Sequence, residues 1–444
     1  MDLVFYHIYP LGFAGAPQVN DLLSEPENKM DKLLDWLDYL HDCGFNAIYF
    51  GPVFESKSHG YDTIDYYTID RRLGTNESFS KLCRIIKSKG FFIVLDGVIN
   101  HVSRDFGPFK DLREKGISSL YTSWFKDINF NNSSSSGDPF SYHCWEGHET
   151  LVSLNLQNND VKNHIFQAVQ SWFENYQIDG LRLDVAYCLD KTFLSELKFF
   201  TKGLSENFWV MGEIIHGDYR DWIETGLLDS ATNYECYKGI FSSLNDNNYF
   251  EIAHSLKRLF SEEGIYRGYQ LYNFVDNHDV NRIFSILNNK THIYNAMILL
   301  FLIPGIPSIY YGSEWQLEGE KSAYSDEALR PCLDIQYQRS LESSKVLETV
   351  VRKLIKIRRE FSALQNGSYG EVSVTANQLV FKREWQGQLV LCAVNSSDTE
   401  IDINIPSELT GHYRDVLNEE DLYLDEGSPA VHLWPNWGRI LVKK

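Results

Sequence analysis

The sequence predicts a (β/α)8 (TIM) barrel with a subdomain inserted after its third strand and a C-terminal antiparallel β-sandwich domain. Two observations predict this class. The 444 residues are 43% hydrophobic, which is enough for a large domain and a smaller attachment. Short apolar runs alternate with amphipathic stretches up to about residue 311, whereas the later runs alternate apolar and polar residues one by one.

The first part of the chain contains eight short apolar runs, which predict eight parallel strands. In chain order they are LVFYHIYP, FNAIYF, FFIVLDGVI, IDGLRLDVA, FWVMGEII, LLDSATNYE, YNFVDNHD and IPSIYYG. The segments between them have helical periodicity, and the clearest is 159–176. Its apolar residues keep the i, i+3, i+4 spacing of one buried face: Val161, Ile165, Ala168, Val169, Trp172 and Tyr176. Alternating strands and helices predict a parallel barrel over 1–101 and 159–365.

Two segments break this alternation. Residues 102–158 are too long for an ordinary loop and predict an inserted subdomain B, whose polar tract NNSSSSGDP we expect to form a mobile tip. After a predicted helix at 342–363 and the stop signal Asn366-Gly367, runs such as QLVFKREW and QLVLCAVN appear. They predict a C-terminal β-domain over 366–444.

Composition narrows the classes of partner. A net charge of −20 argues against nucleic acid, because a phosphate-binding surface is basic. The 63 aromatic residues (10 Trp, 26 Tyr, 27 Phe) suit the apolar faces of sugar rings, although most must be core. Seven cysteines without metal-site spacing are expected to be reduced thiols, and the chain shows neither a signal peptide nor a membrane-length apolar run. We therefore expect a cytoplasmic protein with no membrane partner; its oligomeric state is left open.

Four predicted strands end in polar, chemically capable residues. These are Asp96 with Asn100 and His101, Arg182 with Asp184, Glu213 with His216, and His278 with Asp279. A single aspartate after a strand is more often a helix cap than a catalyst. Four such strand ends together favour an active site, since barrel enzymes build theirs at the carboxyl ends of the strands.

These carboxylates suit glycoside hydrolysis, which needs one ionised and one protonated carboxyl group. Arg182 lies two residues before Asp184, so both side chains face the same side of the sheet, where the guanidinium can hold Asp184 ionised as a nucleophile. Neighbouring carboxylates are expected to raise the pKa of Glu213 and make it the proton donor.

The motifs DGVINH (96–101), GLRLDVA (180–186), GEIIH (212–216) and FVDNHD (274–279) resemble the four signature regions of glycoside hydrolase family 13, the α-amylase family. Their order and spacing are similar as well. HGYDTIDYYTID (59–70), SLNLQN (153–158) and PGIPSIYYGSE (304–314) extend the resemblance over the barrel. The closest motifs are those of the neopullulanase and cyclomaltodextrinase branch and of intracellular enzymes acting on maltodextrins.

The resemblance implies a role for each matching residue. Asp184 would be the nucleophile, Glu213 the acid/base, and Asp279 the third catalytic carboxylate, which stabilises the distorted transition state. Substrate-binding roles fall to Tyr61, His59, Asp96, His101, Arg182, His216, His278 and Arg282, with Asp96 organising the site from behind. Taken alone, each histidine is equally well explained as a satisfied residue of the barrel mouth.

The chain also departs from the family. Asp184 is followed by Val-Ala-Tyr-Cys-Leu instead of the Lys and His of animal and fungal α-amylases, and no DxDxDG-type loop is present. We therefore expect no cofactor and no metal, and calcium in particular is doubtful. Val185 is a residue type that this family associates with acceptance of α-1,6 as well as α-1,4 bonds. Three tryptophans are candidate sugar platforms or ordinary packing residues: Trp145, Trp222 and Trp315.

The sequence thus predicts a retaining enzyme that hydrolyses the α-1,4-glucosidic bonds of maltodextrins or cyclodextrins. Whether it also hydrolyses α-1,6 bonds is left open. A transglycosylase, a phosphorylase, or an enzyme acting on sucrose, trehalose or isomaltose would use the same framework. A non-catalytic relative that only binds carbohydrate is the remaining alternative, which the three intact carboxylates disfavour.

Overall fold

The computed structural model describes residues 2–425 and 429–444, and its first sheet is an eight-stranded parallel barrel. The barrel strands in chain order are β1 (Phe5–Ile8), β2 (Ala47–Phe50), β3 (Phe92–Gly97), β4 (Gly180–Leu183), β5 (Trp209–Gly212), β6 (Ser230–Ala231), β7 (Tyr272–Asn273) and β8 (Ile306–Tyr310). Their spatial order is β6-β5-β4-β3-β2-β1-β8-β7, and a parallel bridge between Thr232 and Tyr272 closes the ring. The predicted barrel is confirmed.

Helices cover the outside of the barrel. Those of ten or more residues are Leu34–Cys43, Asn76–Ser88, Asn159–Tyr176, Lys191–Leu204, Tyr234–Asn245, Tyr249–Phe260, Ile293–Leu302 and Glu342–Glu360. Shorter helices occupy Pro10–Phe13, Gly107–Lys115, Arg220–Ile223, Ile283–Ile286, Ile335–Ser340 and Ser362–Asn366. The helix predicted over 159–176 has these bounds and buries all six apolar residues of its predicted face, and the side chain of Asn158 caps it.

Aromatic side chains fill the barrel interior. Phe5 on β1 stacks on Trp209 of β5 at 5.6 Å between ring centroids, and Tyr272 of β7 meets Phe5 edge-on at 5.5 Å. Met211 and Ile306 complete this layer, and all five side chains are buried. The packed interior makes the barrel a rigid base for its strand ends.

The register of β3 and β4 positions the polar residues at the mouth. Asp96 and Arg182 are directly paired across the two strands, and Arg182 is paired in turn with Met211 on β5. Side chains of paired residues in neighbouring parallel strands point to the same face of the sheet. The sheet alone therefore brings Asp96 and Arg182 together.

Subdomain B is irregular, as predicted. Its only ladder among the described residues pairs His101–Ser103 with Leu151–Ser153, and the helix Gly107–Lys115 packs beside it. In the polar tract predicted as a mobile tip, the backbone N–H groups of Ser135 and Ser136 donate to the Glu149 carboxylate at 2.8 and 2.6 Å. Hydrogen bonds from the Ser136 side chain and from the backbone of both serines lower the pKa of Glu149 to about 2.

The C-terminal domain consists of two antiparallel sheets. Its strands are β9 (Ser368–Val374), β10 (Gln378–Trp385), β11 (Gln388–Asn395), β12 (Ile401–Asn404), β13 (Gly411–Asp415), β14 (Glu420–Leu424), β15 (Ala430–Leu433) and β16 (Trp437–Lys443). The larger sheet has the order β9-β10-β11-β16-β13-β14, and β12 pairs with β15. Apolar side chains between the two sheets form a separate core.

The helix predicted over 342–363 is two helices. The first ends at Glu360, and Phe361 has an extended backbone conformation (φ −107°, ψ 108°) before a short helix runs from Ser362 to Asn366. Apolar periodicity continues across this break, which is why the sequence pattern did not show it.

Two further features bear on the environment of the protein. All seven cysteines are free thiols, four of them buried. Among the residues that the structure describes, no helix combines the length and apolar character needed to cross a bilayer.

Candidate active site

Arg182 is the centre of the cluster at the barrel mouth. Its Nη1 donates to both carboxylate oxygens of Asp96 at 2.9 and 3.0 Å and to Oδ1 of Asp184 at 2.8 Å. Its Nη2 lies 2.9 Å from Oε1 of Glu213. One guanidinium on β4 therefore contacts three carboxyl groups from three neighbouring strands, and all four side chains are at most 8% exposed.

Asp96 lies at the back of this cluster. Its Oδ2 accepts hydrogen bonds from the hydroxyls of Tyr49 at 2.9 Å and Tyr61 at 3.0 Å, and its side chain is fully buried. The hydrogen-bond partners of Asp96 are thus Arg182 and two tyrosines, and its role of organising the site from behind stays a prediction.

Glu213 is fixed by the backbone that follows Asp184. The Val185 N–H donates to Oε2 of Glu213 at 2.9 Å. Val185 adopts a left-handed conformation (φ 40°, ψ 46°), which is strained for a β-branched residue and is found mainly at functional sites. The Tyr234 hydroxyl also donates to Oε1 of Glu213 at 3.4 Å. The strained turn thus links the geometry of Asp184 and Glu213.

Asp279 approaches from β7 and has its own cationic partners. His278 Nε2 lies 3.0 Å from Oδ2 of Asp279, and Arg330 Nη2 lies 3.3 Å from Oδ1. Burial would raise the pKa of Asp279, but His278 and Arg330 outweigh it and hold that pKa well below its usual range. Asp279 is therefore ionised at neutral pH.

Asp184 behaves differently from the prediction that Arg182 would keep it ionised. Burial raises the pKa of Asp184 well above its usual range, Arg182 opposes this, and Glu213 and Asp96 add to it. Arg182 shares its single charge among three carboxyl groups, so its effect on Asp184 alone is outweighed. Asp184 therefore holds a proton more strongly than an isolated aspartate does.

Three further predicted residues line the mouth beside Asp279. The rings of Tyr61 and His278 stack in parallel at 5.4 Å, with the Tyr61 hydroxyl hydrogen-bonded to His278 Nε2. His59 is half-buried, and its ring stacks on Tyr61 at 6.2 Å. His101 is buried, and the Asn100 amide at 3.2 Å from its Nδ1 leaves the proton on Nε2.

The His101 Nε2 is buried and has no hydrogen-bond partner among the described residues. Burial lowers the pKa of His101 to about 4, so the ring is neutral at physiological pH. Its other face stacks on Trp145 at 5.7 Å. Trp145 thus remains a candidate platform for a sugar ring.

Two predicted substrate ligands have other surroundings. His216 is exposed, and its ring lies 5.4 Å from that of Tyr187 at the rim of the site. Arg282 is fully buried: its guanidinium donates to the backbone carbonyls of Tyr311 at 2.7 Å and Leu329 at 2.9 Å. The prediction that Arg282 binds substrate is wrong, because its side chain is fully buried and its Nη1 and Nη2 donate to the backbone of this loop.

Two of the three candidate tryptophans are packing residues. Trp315 is 4% exposed, donates from Nε1 to Glu348 at 2.9 Å and packs against Trp36. Trp222 is 8% exposed, beneath the Lys191 ammonium at 5.4 Å. That a residue is a tryptophan does not indicate whether its side chain faces the cleft or packs in the interior.

Sequence reasoning missed Arg330, which reaches the site from a loop. Besides contacting Asp279, its Nε donates to the His278 carbonyl at 3.1 Å, and its guanidinium lies 4.5 Å from the ring centroid of Tyr9. Asp326 pairs with it at 3.1 Å. Arg330 lies in a loop without periodicity, 51 residues from Asp279, so no local pattern indicated this contact.

The arrangement can carry out acid–base chemistry combined with nucleophilic attack. It holds a low-pKa carboxylate in Asp279, two further carboxyl groups that contact the same guanidinium, and histidine and tyrosine side chains at the mouth. Among the described residues, no group of three or more His, Cys, Asp or Glu side chains is placed to hold a metal ion.

Comparison with known proteins is consistent with this chemistry. The family model described as "Alpha amylase, catalytic domain" matches residues 7–365. A cyclomaltodextrinase of Geobacillus thermopakistaniensis is 27% identical over 99% of this chain and 76% of its own length. Two solved structures share the fold over nearly their whole length.

The first is the cyclic α-maltosyl-(1→6)-maltose hydrolase of Arthrobacter globiformis, with a TM-score of 0.85 and 25% identity, covering 100% of this chain and 99% of that one. The second is a debranching enzyme of Nostoc punctiforme, with a TM-score of 0.84 and 27% identity, covering 99% of this chain and 98% of that one.

Proposed function

The chain belongs to the α-amylase family of glycoside hydrolases, and on that premise we propose that it hydrolyses α-1,4-glucosidic bonds of short maltodextrins and cyclomaltodextrins with retention of anomeric configuration. The observation that carries the proposal is the contact of Arg182 with both Asp184 and Glu213, at 2.8 and 2.9 Å. Retaining glycosidases keep their two carboxyl groups about 5 Å apart, and a single guanidinium between them holds this pair close.

In the first step, Glu213 gives its proton to the glycosidic oxygen while Oδ1 or Oδ2 of Asp184 forms a bond to the anomeric carbon. The leaving sugar departs with the proton, and a covalent glycosyl-enzyme remains. This step requires Asp184 to be ionised and the proton to lie on Glu213. Val185, whose N–H contacts Glu213, connects the positions of the two residues.

In the second step, Glu213 removes a proton from water, which attacks the anomeric carbon and releases Asp184. Two inversions at that carbon give net retention. Asp279, held ionised by His278 and Arg330, faces the positive charge that develops on the ring. In this proposal His101 hydrogen-bonds a hydroxyl of the same ring, and Tyr61 contacts the ring with its aromatic face.

Cleavage of α-1,6 bonds is a second candidate activity. Two structural relatives support it, since one hydrolyses a ring that contains an α-(1→6) linkage and the other is a debranching enzyme. Val185 follows the proposed nucleophile and carries the strained turn, so it is the position at which linkage preference can be changed.

Product analysis tests the proposal against the other outcomes of the same glycosyl-enzyme. The protein is incubated with maltotriose, a cyclodextrin, pullulan and sucrose, each with and without phosphate, and the products are separated by chromatography. Glucose and maltose from the first two, independent of phosphate, support a maltodextrin hydrolase. Longer oligosaccharides would instead show a transglycosylase, and glucose phosphate would show a phosphorylase. Products from sucrose alone would show that the enzyme acts on sucrose rather than on maltodextrins.

We further propose that the reaction needs no metal and takes place in the cytoplasm. The proposed mechanism draws its charge stabilisation from Arg182 and its protons from Glu213, and the free thiols are compatible with a reducing compartment. Dialysis against EDTA followed by assay, with and without added calcium, checks the first point. Unchanged activity is expected, and loss that calcium restores would contradict it.

A further inference from the structure

Arg282 is a buried cation that, within the described chain, forms no hydrogen bond to a carboxylate. Its guanidinium donates to the backbone carbonyls of Tyr311 and Leu329 and to the hydroxyl of Ser313. It also lies over the ring of Tyr310, 4.0 Å from the centroid, and the whole residue is 0% exposed. A buried charge is costly unless such contacts satisfy it. Arg282 therefore has a more specific role than filling the core.

Arg282 holds three points of the loop that follows β8, which we call the β8 loop (residues 311–334). Its Nη1 donates to the carbonyl of Tyr311 at 2.7 Å, at the start of the loop. Its backbone N–H donates to the carbonyl of Gly319 at 2.9 Å. Its Nη2 donates to the carbonyl of Leu329 at 2.9 Å, near the far end. One residue outside the loop thus connects its start, its middle and its far end.

The backbone of the β8 loop is packed closely at two places. A β-carbon added to Gly319 would lie 2.3 Å from the carbonyl oxygen of Ala328, so the two sides of the loop touch there. A β-carbon added to Gly12 would lie 2.1 Å from the carbonyl oxygen of Arg330. Neither gap admits a side chain, and close packing of this kind resists small shifts. The far end of the loop therefore has a defined position relative to the barrel.

The far end of the loop carries Arg330, which directly follows Leu329. Its Nη2 lies 3.3 Å from Oδ1 of Asp279, and its Nε donates to the His278 carbonyl at 3.1 Å. The attraction between two charges weakens with distance. A displacement of the Leu329 carbonyl would therefore move the Arg330 guanidinium away from Asp279 and weaken its hold on that carboxylate.

We propose that Arg282 is a positioning residue of the hydrolytic reaction, which holds the β8 loop closed and thereby keeps Arg330 against Asp279. The inference rests on the proposed function, in which Asp279 faces the positive charge that develops on the sugar ring. Arg282 acts without touching the substrate. Because it lies only three residues after Asp279, one short segment supplies both the carboxylate and the anchor of its cationic partner.

A double-mutant cycle tests whether Arg282 acts through Arg330. Steady-state kinetics are measured on whichever sugar of the product analysis the enzyme hydrolyses fastest. We expect Arg330→Gln to lower kcat roughly 30-fold and Arg282→Lys about ten-fold, each with KM within about two-fold, because the lost stabilisation belongs to the transition state. The double variant should be slower than Arg330→Gln by no more than about two-fold, whereas independent roles would multiply to roughly 300-fold.

Two further measurements separate positioning from a loss of stability. Arg383→Lys is the matched control, since Arg383 is also buried and donates to backbone carbonyls, those of Leu302 and Gly367. This control should be destabilised and keep its kcat. In hydrogen–deuterium exchange followed by mass spectrometry, Arg282→Lys should exchange faster over 319–331 than the unmodified protein, and Arg383→Lys should not.

Tyr310→Phe is the milder variant to use if Arg282→Lys does not fold. It removes the hydroxyl that donates to the Leu329 carbonyl at 3.0 Å and leaves the ring beneath Arg282 in place. It should lower kcat about three-fold, and this loss should vanish in the Arg330→Gln background.

Multiplied losses in the cycle, or faster loop exchange without a loss of kcat, would overturn the inference. Its failure is distinct from that of the proposed function, because the cycle compares variants on whichever sugar is hydrolysed. If none of the four sugars is hydrolysed, the proposed function fails, and unchanged exchange over 319–331 in Arg282→Lys would still overturn the inference.

Discussion

Arg182 at the barrel mouth and the pair Arg358 and Arg383 at the domain junction are equally buried, at 3%, 2% and 1% exposure. Their surroundings are opposite. Arg182 contacts three carboxyl groups, and two of them, Asp96 and Glu213, raise its pKa well above the usual range against the effect of burial. At the junction, burial lowers the pKa of Arg358 to about 9 and that of Arg383 to about 10.

The junction arginines bind backbone carbonyls. Arg358 Nη1 donates to the Phe301 carbonyl at 2.7 Å, and Arg383 Nη1 donates to that of Leu302 at 2.6 Å. These carbonyls end the helix Ile293–Leu302, whose C-terminus carries partial negative charge. The junction thus uses buried cations to cap a helix and join two domains, while the mouth surrounds its cation with excess carboxylate. Only the mouth combines its cation with carboxyl groups that can act as nucleophile and proton donor, so it is the arrangement suited to catalysis.

Removing the nucleophile should produce the largest effect. Asp184→Asn keeps the shape of the side chain but cannot form the glycosyl-enzyme, so kcat for maltotriose should fall at least roughly 10³-fold with little change in the denaturation midpoint. Asp415→Asn is the matched control, because Asp415 is also a fully buried carboxylate paired with an arginine, Arg439 at 2.9 Å. This control should lose stability and keep kcat. If Asp184→Asn retained more than a tenth of the activity, Asp184 would not be the nucleophile.

The same substitution at the two kinds of arginine sharpens the comparison. Lysine cannot span Asp96, Asp184 and Glu213 at once, so Arg182→Lys should lower kcat by roughly 10²-fold. Arg383→Lys loses carbonyl contacts at the junction, so it should lower the free energy of unfolding by about 1–3 kcal/mol and leave kcat unchanged. Urea unfolding and steady-state kinetics on both variants measure the two effects. An equal loss of kcat in Arg182→Lys and Arg383→Lys would contradict the view that only the arginine at the barrel mouth serves catalysis.

The features predicted from the sequence are those that depend on residues close together in the chain. Apolar runs and helical periodicity gave the eight strands and the bounds of Asn159–Tyr176, and strand ends gave Arg182, Asp184 and Glu213. Contacts made by loops were missed or misassigned. Arg282 and Arg330 both lie near the same loop, yet one turned out to be buried against carbonyls and the other beside Asp279. The packing of that loop determines which of the two arginines lies beside Asp279, and no residue spacing in the sequence indicates how the loop packs.

A smaller effect is expected at Glu314, a buried carboxyl group at the end of β8. Its Oε1 accepts from the Tyr6 hydroxyl at 2.7 Å and its Oε2 from the Gly312 N–H at 2.9 Å, and burial raises its pKa to about 7. The folded state therefore keeps a proton that the unfolded chain loses above a pH of about 4.3. The stability this proton contributes is complete below that pH and is lost as pH rises through about 7.

Glu314→Gln cannot ionise and should remove this dependence. Between pH 5 and 8, the free energy of unfolding of the unmodified protein should fall relative to that of the variant, by an amount on the order of 3 kcal/mol or less. Denaturant titrations at several pH values measure the difference. Parallel curves for the two proteins would mean that Glu314 is ionised throughout and that burial without a cation does not retain its proton.

The most direct test of the account is the configuration of the first product. Proton NMR during the initial minutes of maltotriose hydrolysis distinguishes the two anomers before mutarotation mixes them. Double displacement through Asp184 predicts that the newly formed reducing end appears as the α-anomer. If the β-anomer appeared first, water would attack directly, and the assignment of Asp184 as a covalent nucleophile would be wrong.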